Sequence, residues 1–112
     1  MNNETICAIS TAPGQGAIAI IRVSGKDSII ICEKLFLSKN GESLSNTKNQ
    51  QVILGNINHK SNTIDEVLIT LFNAPRSYTG ENMVEIACHG STYIQSKIIQ
   101  ILIENGCRLA KK

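Results

Sequence analysis

A chain of 112 residues, 42% of them hydrophobic, is long enough for one core, and at that length folding removes about two thirds of the unfolded surface from water. Aromatic residues make up 4% and Trp is absent, so the core has to be built from Ile, Val, Leu and Ala, which excludes a disordered chain and suits strands packed on helices. Eleven basic against nine acidic residues leave a net charge of +2, scattered without a basic stripe, so a direct nucleic-acid face is not signalled.

Residues 5–11 form a short apolar run bounded by Asn and Pro and read as a first strand. Ala12-Pro13-Gly14-Gln15-Gly16 supplies a turn, and residues 17–24 resume a β-branched run. Asp27 or Ser28 caps a helix reaching about Leu37, with Glu33 and Lys34 on its wet side. Residues 38–50 are almost wholly polar and read as a mobile loop. Residues 51–58 and 65–72 are strands joined through 59–63 as an antiparallel hairpin. After a loop over 74–81, residues 83–88 make a further strand. Ser91 then caps a helix whose apolar face is Ile94, Ile98, Ile99, Leu102 and Ile103, Gly106 ends it, and residues 107–110 begin a last strand.

The expected architecture is α+β, a mixed sheet with the helices on one side, in a single domain over 1–112. Each half carries a Gly-containing loop, a strand with one internal charge and then a helix, a faint internal repeat. Four widely spaced cysteines, Cys7, Cys32, Cys88 and Cys107, without a Cys-x-x-Cys pair read as reduced, buried, cytosolic thiols and not as metal ligands. The start Met-Asn-Asn-Glu-Thr is neither cationic nor apolar and no apolar run reaches bilayer length, so a cytoplasmic chain with no membrane partner is expected. Lys111 and Lys112 read as a solvated end.

Candidate chemistry is sparse. Pro13-Gly14-Gln15-Gly16 precedes a strand and lacks the helix and Lys-Ser or Lys-Thr pair that a phosphate loop needs, so it reads as a tight turn. Alternation puts Arg22 on one strand face with Ile20 and Ser24, and Glu85 on one face with Met83 and Ala87. Either charge is costly to bury alone. The two could neutralise each other, or line a cleft in which Glu85 accepts N–H groups of a planar heterocycle and Arg22 meets a carbonyl or carboxylate. Cys88 and His89 are adjacent strand residues that point to opposite faces and cannot serve as nucleophile and base, and no catalytic residue is assigned. Arg76-Ser77-Tyr78-Thr79-Gly80-Glu81 concentrates polar donors and one aromatic and reads as a ligand rim, with plain turn chemistry as the alternative.

Residues 12–25 (Ala-Pro-Gly-Gln-Gly-Ala-Ile-Ala-Ile-Ile-Arg-Val-Ser-Gly) and 77–90 (Ser-Tyr-Thr-Gly-Glu-Asn-Met-Val-Glu-Ile-Ala-Cys-His-Gly) closely resemble the N-terminal domain of the MnmE/TrmE tRNA-modification GTPases. The resemblance covers nearly the whole chain apart from residues 38–50. It implies a fold similar to the tetrahydrofolate-binding domain of aminomethyltransferases, a 5-formyltetrahydrofolate site contacted by Arg22 and Glu85, and a homodimer formed through this domain. It further implies a parent that modifies the wobble uridine of tRNA with a flavin-dependent partner protein, and a separate domain that hydrolyses GTP with potassium and magnesium. No Gly-x-x-x-x-Gly-Lys-Ser or Asn-Lys-x-Asp motif is present, so the chain resembles an excised domain without GTPase activity. The family pattern runs on into a Pro-Gly-Glu-Phe stretch and an Asn-Gly-Lys whose Lys joins the folate site, and Lys112 stands where the family has Pro, which predicts weakened folate affinity. A folate-dependent one-carbon transferase, drawing on His59 or His89, and a purely structural dimerisation domain are the alternatives.

Overall fold

The computed structural model describes residues 4–12, 14–46, 50–74 and 80–110. Among them seven strands form one sheet: β1 (Ile6–Ile9), β2 (Ile18–Ser24), β3 (Phe36–Ser38), β4 (Val52–His59), β5 (Asn62–Phe72), β6 (Met83–His89) and β7 (Arg108–Leu109), in the order β3-β4-β5-β6-β2-β1-β7. β1 and β7 run parallel and every other neighbouring pair is antiparallel, which makes the sheet mixed. Two helices, α1 (Ser28–Leu35) and α2 (Thr92–Glu104), complete an α+β fold.

Strand alternation sorts the side chains. Ala19, Ile21 and Val23 of β2, Val67, Ile69 and Leu71 of β5, and Val84, Ile86 and Cys88 of β6 are buried in one cluster with Ile31, Cys32 and Leu35 of α1 and Ile98, Ile101 and Leu102 of α2. Both helices therefore cover the same face of the sheet. The opposite face carries Val52, Leu54, Leu68 and Leu37, all exposed. Neither helix is long and apolar enough to cross a membrane.

Several expectations shift. α1 ends at Leu35, because Phe36 turns to extended angles and Phe36–Ser38 joins the sheet beside β4. The Phe36 ring lies across Gly55, where a Cβ would overlap it. Of the mobile loop expected over 38–50, residues 38–46 are organised, the Gln50 N–H donates to the Leu71 carbonyl at 2.7 Å, and residues 47–49 lie outside the described residues. Asn40 Oδ1 accepts from the Glu42 N–H at 2.9 Å, and one turn of 3-10 helix, Leu44–Asn46, buries Leu44 in the core. The hairpin turn is shorter than 59–63: Lys60 and Ser61 take positive φ (51° and 71°), and pairing runs to His59↔Asn62. That tight turn has none of the Asn-Gly signal that normally marks it. The inner face of α2 is also rotated, with Gln95 and Ile101 buried and Ile103 exposed. Ser91 caps α2 as expected, accepting from the Ile94 N–H at 3.1 Å.

One close approach locks the centre of the sheet. The Gly16 N–H donates to the Gly90 carbonyl and the Gly90 N–H to that of Ala17, each at 3.1 Å. A Cβ on Gly90 would overlap the Gly16 carbonyl, whereas one on Gly16 meets open space apart from the Ile18 oxygen at 4.0 Å. Gly90→Ala is expected to destabilise by about 2–4 kcal/mol, combining backbone overlap with two weakened hydrogen bonds. Gly16→Ala should stay within about 1 kcal/mol of the parent, and thermal denaturation of the two variants measures the contrast.

Candidate functional site

β2 and β6 pair antiparallel through the middle of the sheet, and their register sets Arg22 directly opposite Glu85. Both side chains leave the face away from the helices, as alternation predicts. Arg22 Nη2 donates to Glu85 Oε2 at 2.8 Å and Nε to the same oxygen at 3.2 Å. The side chains are 31% and 22% exposed, so the pair is neither buried nor freely solvated. Glu85 Oε1 receives no hydrogen bond among the described residues.

The surroundings follow from the ladder. Thr70 lies across from Glu85 on β5 and Ala8 across from Arg22 on β1, giving a row Val52, Thr70, Glu85, Arg22, Ala8. The adjacent row, Leu54, Leu68, Ala87, Ile20, is apolar. A shallow hollow of about 180 Å³ lies over Leu54, Leu68 and Ala87, with Ile18, Glu66 and His89 also lining it. Among the described residues Arg22 and Glu85 lie side by side on an open face of the sheet. The larger cavity, about 730 Å³, belongs to the helix side and does not include them. Of the loop expected as a rim, residues 75–79 lie outside the described residues.

His89 belongs to the same open face. Its Nδ1 is 2.7 Å from Asp65 Oδ1 and its backbone N–H donates to Asp65 Oδ2 at 2.8 Å, so one carboxylate holds the imidazole at one nitrogen and the backbone at another. Asp65 is a partner that sequence reasoning missed, since nothing in a strand-opening Asp announces a histidine 24 residues later. His59 is engaged elsewhere, with Nε2 3.3 Å from Glu104 Oε1 at the end of α2.

The four cysteines are free and buried. Cys88 faces the helices, opposite to His89, and burial, assisted by the Asp65 charge, pushes its thiol up to about 11. Burial and the nearby Cys7 push Cys32 up to about 12. Cys7 and Cys107 share a hydrogen bond that, with burial, also drives Cys107 upward. Cys32, Cys88 and Cys107 are thereby inert thiols, not nucleophiles, whereas the hydrogen bond with Cys107 lowers Cys7, which burial keeps out of solvent.

Comparison with known sequences agrees with the two motif segments. The sequence model of one family, described as GTP-binding protein TrmE N-terminus, matches residues 5–112. Three relatives bear the name tRNA modification GTPase MnmE. That of Parabacteroides distasonis is 56% identical over 110 residues, 96% of this chain and 24% of its own length. Those of Bacteroides fragilis and Flavobacterium psychrophilum are 52% and 46% identical over 99% and 97% of this chain, again with 24% of their own lengths covered. An open-faced mixed sheet with two central opposite charges is the class of domain in hand. The chain belongs to the TrmE N-terminal family, and it spans about a quarter of the length of these relatives.

The thiols give a pH prediction. Burial holds Cys32 and Cys88 above the ordinary 9.0 in the folded state, so at these two positions the unfolded chain loses its proton first as pH rises. Unfolding stability should be unaffected by them below about pH 9 and decline progressively between there and about pH 12. Urea titrations across that range measure it, and an aromatic disulfide reagent should find no reactive thiol before unfolding.

Proposed function

We propose that this chain is the 5-formyltetrahydrofolate-binding and dimerisation domain of a GTPase that modifies the wobble uridine of tRNA together with a flavin-dependent partner protein. The observation that carries the reading is Glu85. One carboxylate oxygen is held by Arg22 while the other is open on the same face, and an open carboxylate oxygen is the acceptor that a pterin N–H edge requires. Arg22, already oriented by that pair, is placed to receive a carbonyl or carboxylate of the ligand. Ala87 and Ile20, one row away, offer the flat apolar surface on which a ring can lie. The bound folate would supply the one-carbon unit, and the residues of this chain bind and orient it. GTP hydrolysis, potassium and magnesium belong in this reading to a separate domain of the longer relatives, and the setting is the cytoplasm.

The uncovered row Leu54, Leu68, Ala87, Ile20, with Leu37 and Val52 near it, supports pairing with a second copy across this face, since exposed apolar patches of this kind mark interfaces. Leu68→Glu is expected to shift sedimentation from dimer to monomer without loss of secondary structure.

Calorimetry with 5-formyltetrahydrofolate tests the ligand. Glu85→Gln and Arg22→Met should each weaken binding at least tenfold, the scale of one charge-assisted hydrogen bond. Melting temperatures should fall only by the few degrees that correspond to about 1 kcal/mol, because the pair is partly exposed. Unfolding of both variants, with no ligand heat in the parent, would instead favour a purely structural pair in a dimerisation domain. A second reading, a one-carbon transferase, draws on the Asp65-fixed imidazole of His89, which shares a face with Glu85. It requires turnover of the folate by this chain alone and its loss in His89→Gln.

A further inference from the structure

The cavity on the helix side has no part in that reading. It runs between α2 and the β1–β7 edge of the sheet and measures about 730 Å³, within the range of small-molecule sites. Ile9 of β1, Ile103 of α2 and Leu109 of β7 converge on it from three elements, 39%, 44% and 51% exposed. Ile99 adds a fourth apolar wall.

One buried polar group opens into it. Gln95 is 4% exposed. Its Nε2 donates to the Gly90 carbonyl at 2.9 Å and the Gly14 carbonyl at 3.2 Å, which fixes the amide orientation because both partners are acceptors. No donor among the described residues reaches its Oε1. Yet among the described residues no fully buried side-chain nitrogen or oxygen lacks a partner, so that oxygen is open to solvent, and the cavity Gln95 lines is this groove. The amide is therefore an acceptor held ready at the end of an apolar trough.

Charge narrows the occupant. Among the described residues no Lys, Arg or His lines the groove, so none of them favours an anion there. The one carboxylate among its described lining residues, Glu104, is engaged by His59 at 3.3 Å and by Gln100 at 3.4 Å. We propose that the groove between α2 and the β1–β7 edge binds a small, uncharged, apolar molecule carrying an N–H donor, with the N–H on Gln95 Oε1 and the body against Ile9, Ile99, Ile103 and Leu109.

The probe is N-phenyl-1-naphthylamine, which is apolar, uncharged, carries one N–H and brightens on leaving water. Titrated into the 112-residue chain, it should saturate at one equivalent. Leu109→Arg and Ile103→Asp alter exposed positions and should keep the melting temperature while weakening binding at least tenfold. The ether analogue 1-phenoxynaphthalene, matched in shape but without the N–H, should compete about 3–10-fold less well, the scale of one neutral hydrogen bond. Amide shift changes should centre on Ile9, Gln95 and Leu109. Binding unchanged in both variants, equal competition by the ether, or shift changes centred on Leu54 and Leu68 of the open face would overturn the assignment. So would loss of binding in step with a concentration-dependent doubling of mass, which would give the groove to a second copy.

Discussion

The pairing of β2 with β6 is the constraint on which the rest depends. Seven consecutive registers, from Ile18↔His89 to Ser24↔Met83, tie the two halves of the chain along the middle of the sheet. Period-2 alternation then commits both strands at once. Ala19, Ile21, Val23, Val84, Ile86 and Cys88 go to the helices, while Ile20, Arg22, Glu85, Ala87 and His89 go to the other face. A slip of one residue would drive the two charges beneath the helices. At one end of the ladder the Gly16–Gly90 contact fixes the register in backbone atoms, where side-chain repacking cannot absorb an error.

The two halves repeat a plan. β1 and β2 form an antiparallel pair followed by α1 and then β3; β5 and β6 form another followed by α2 and then β7. Each helix lies on the same face, and each closing strand is carried to an outer edge of the sheet. The antiparallel contact of the two second strands brings their single internal charges together, a cation from one half and an anion from the other. The faint repeat seen as loop, charged strand and helix is thus matched in element order, and it accounts for why residues 63 apart in sequence meet.

Legibility in the sequence tracked how local the governing interaction is. Arg22 and Glu85 were placed on the correct strand faces because alternation is a property of each strand alone. Their direct pairing was one of two open readings, since it depends on which strands are neighbours. Ser91 was readable as a cap because its partner lies three residues away. Leu44 was not readable as core, because a lone leucine in a polar stretch has no periodicity, and its burial is decided by α1 and the short turn beside it. Phe36 and Leu37 continued the helical pattern of α1 and were taken by β4 instead, where Gly55 leaves room for the Phe36 ring. Gln95 is polar yet buried, because its amide ties α2 to two backbone carbonyls supplied by distant segments.

The energetics of the central pair bear on what it is for. An ion pair with side chains 31% and 22% exposed contributes about 1 kcal/mol or less, no more than a well-matched β-branched cross-strand pair at the same place. The core already joins β2 to β6 through Ile21, Val23, Val84 and Ile86, so stability alone gives little reason for charges whose ladder neighbours on that face are Thr70, Ala8, Ala87 and Ile20. A carboxylate with one oxygen anchored and one open is a poor structural device but a good recognition element: the anchored oxygen fixes orientation, and the open one awaits a donor. The helix side shows the same arrangement in neutral form, with the Gln95 nitrogen anchored and its oxygen open. On both faces, half of a polar group is spent on holding its own position, and the remaining half is what a ligand would meet.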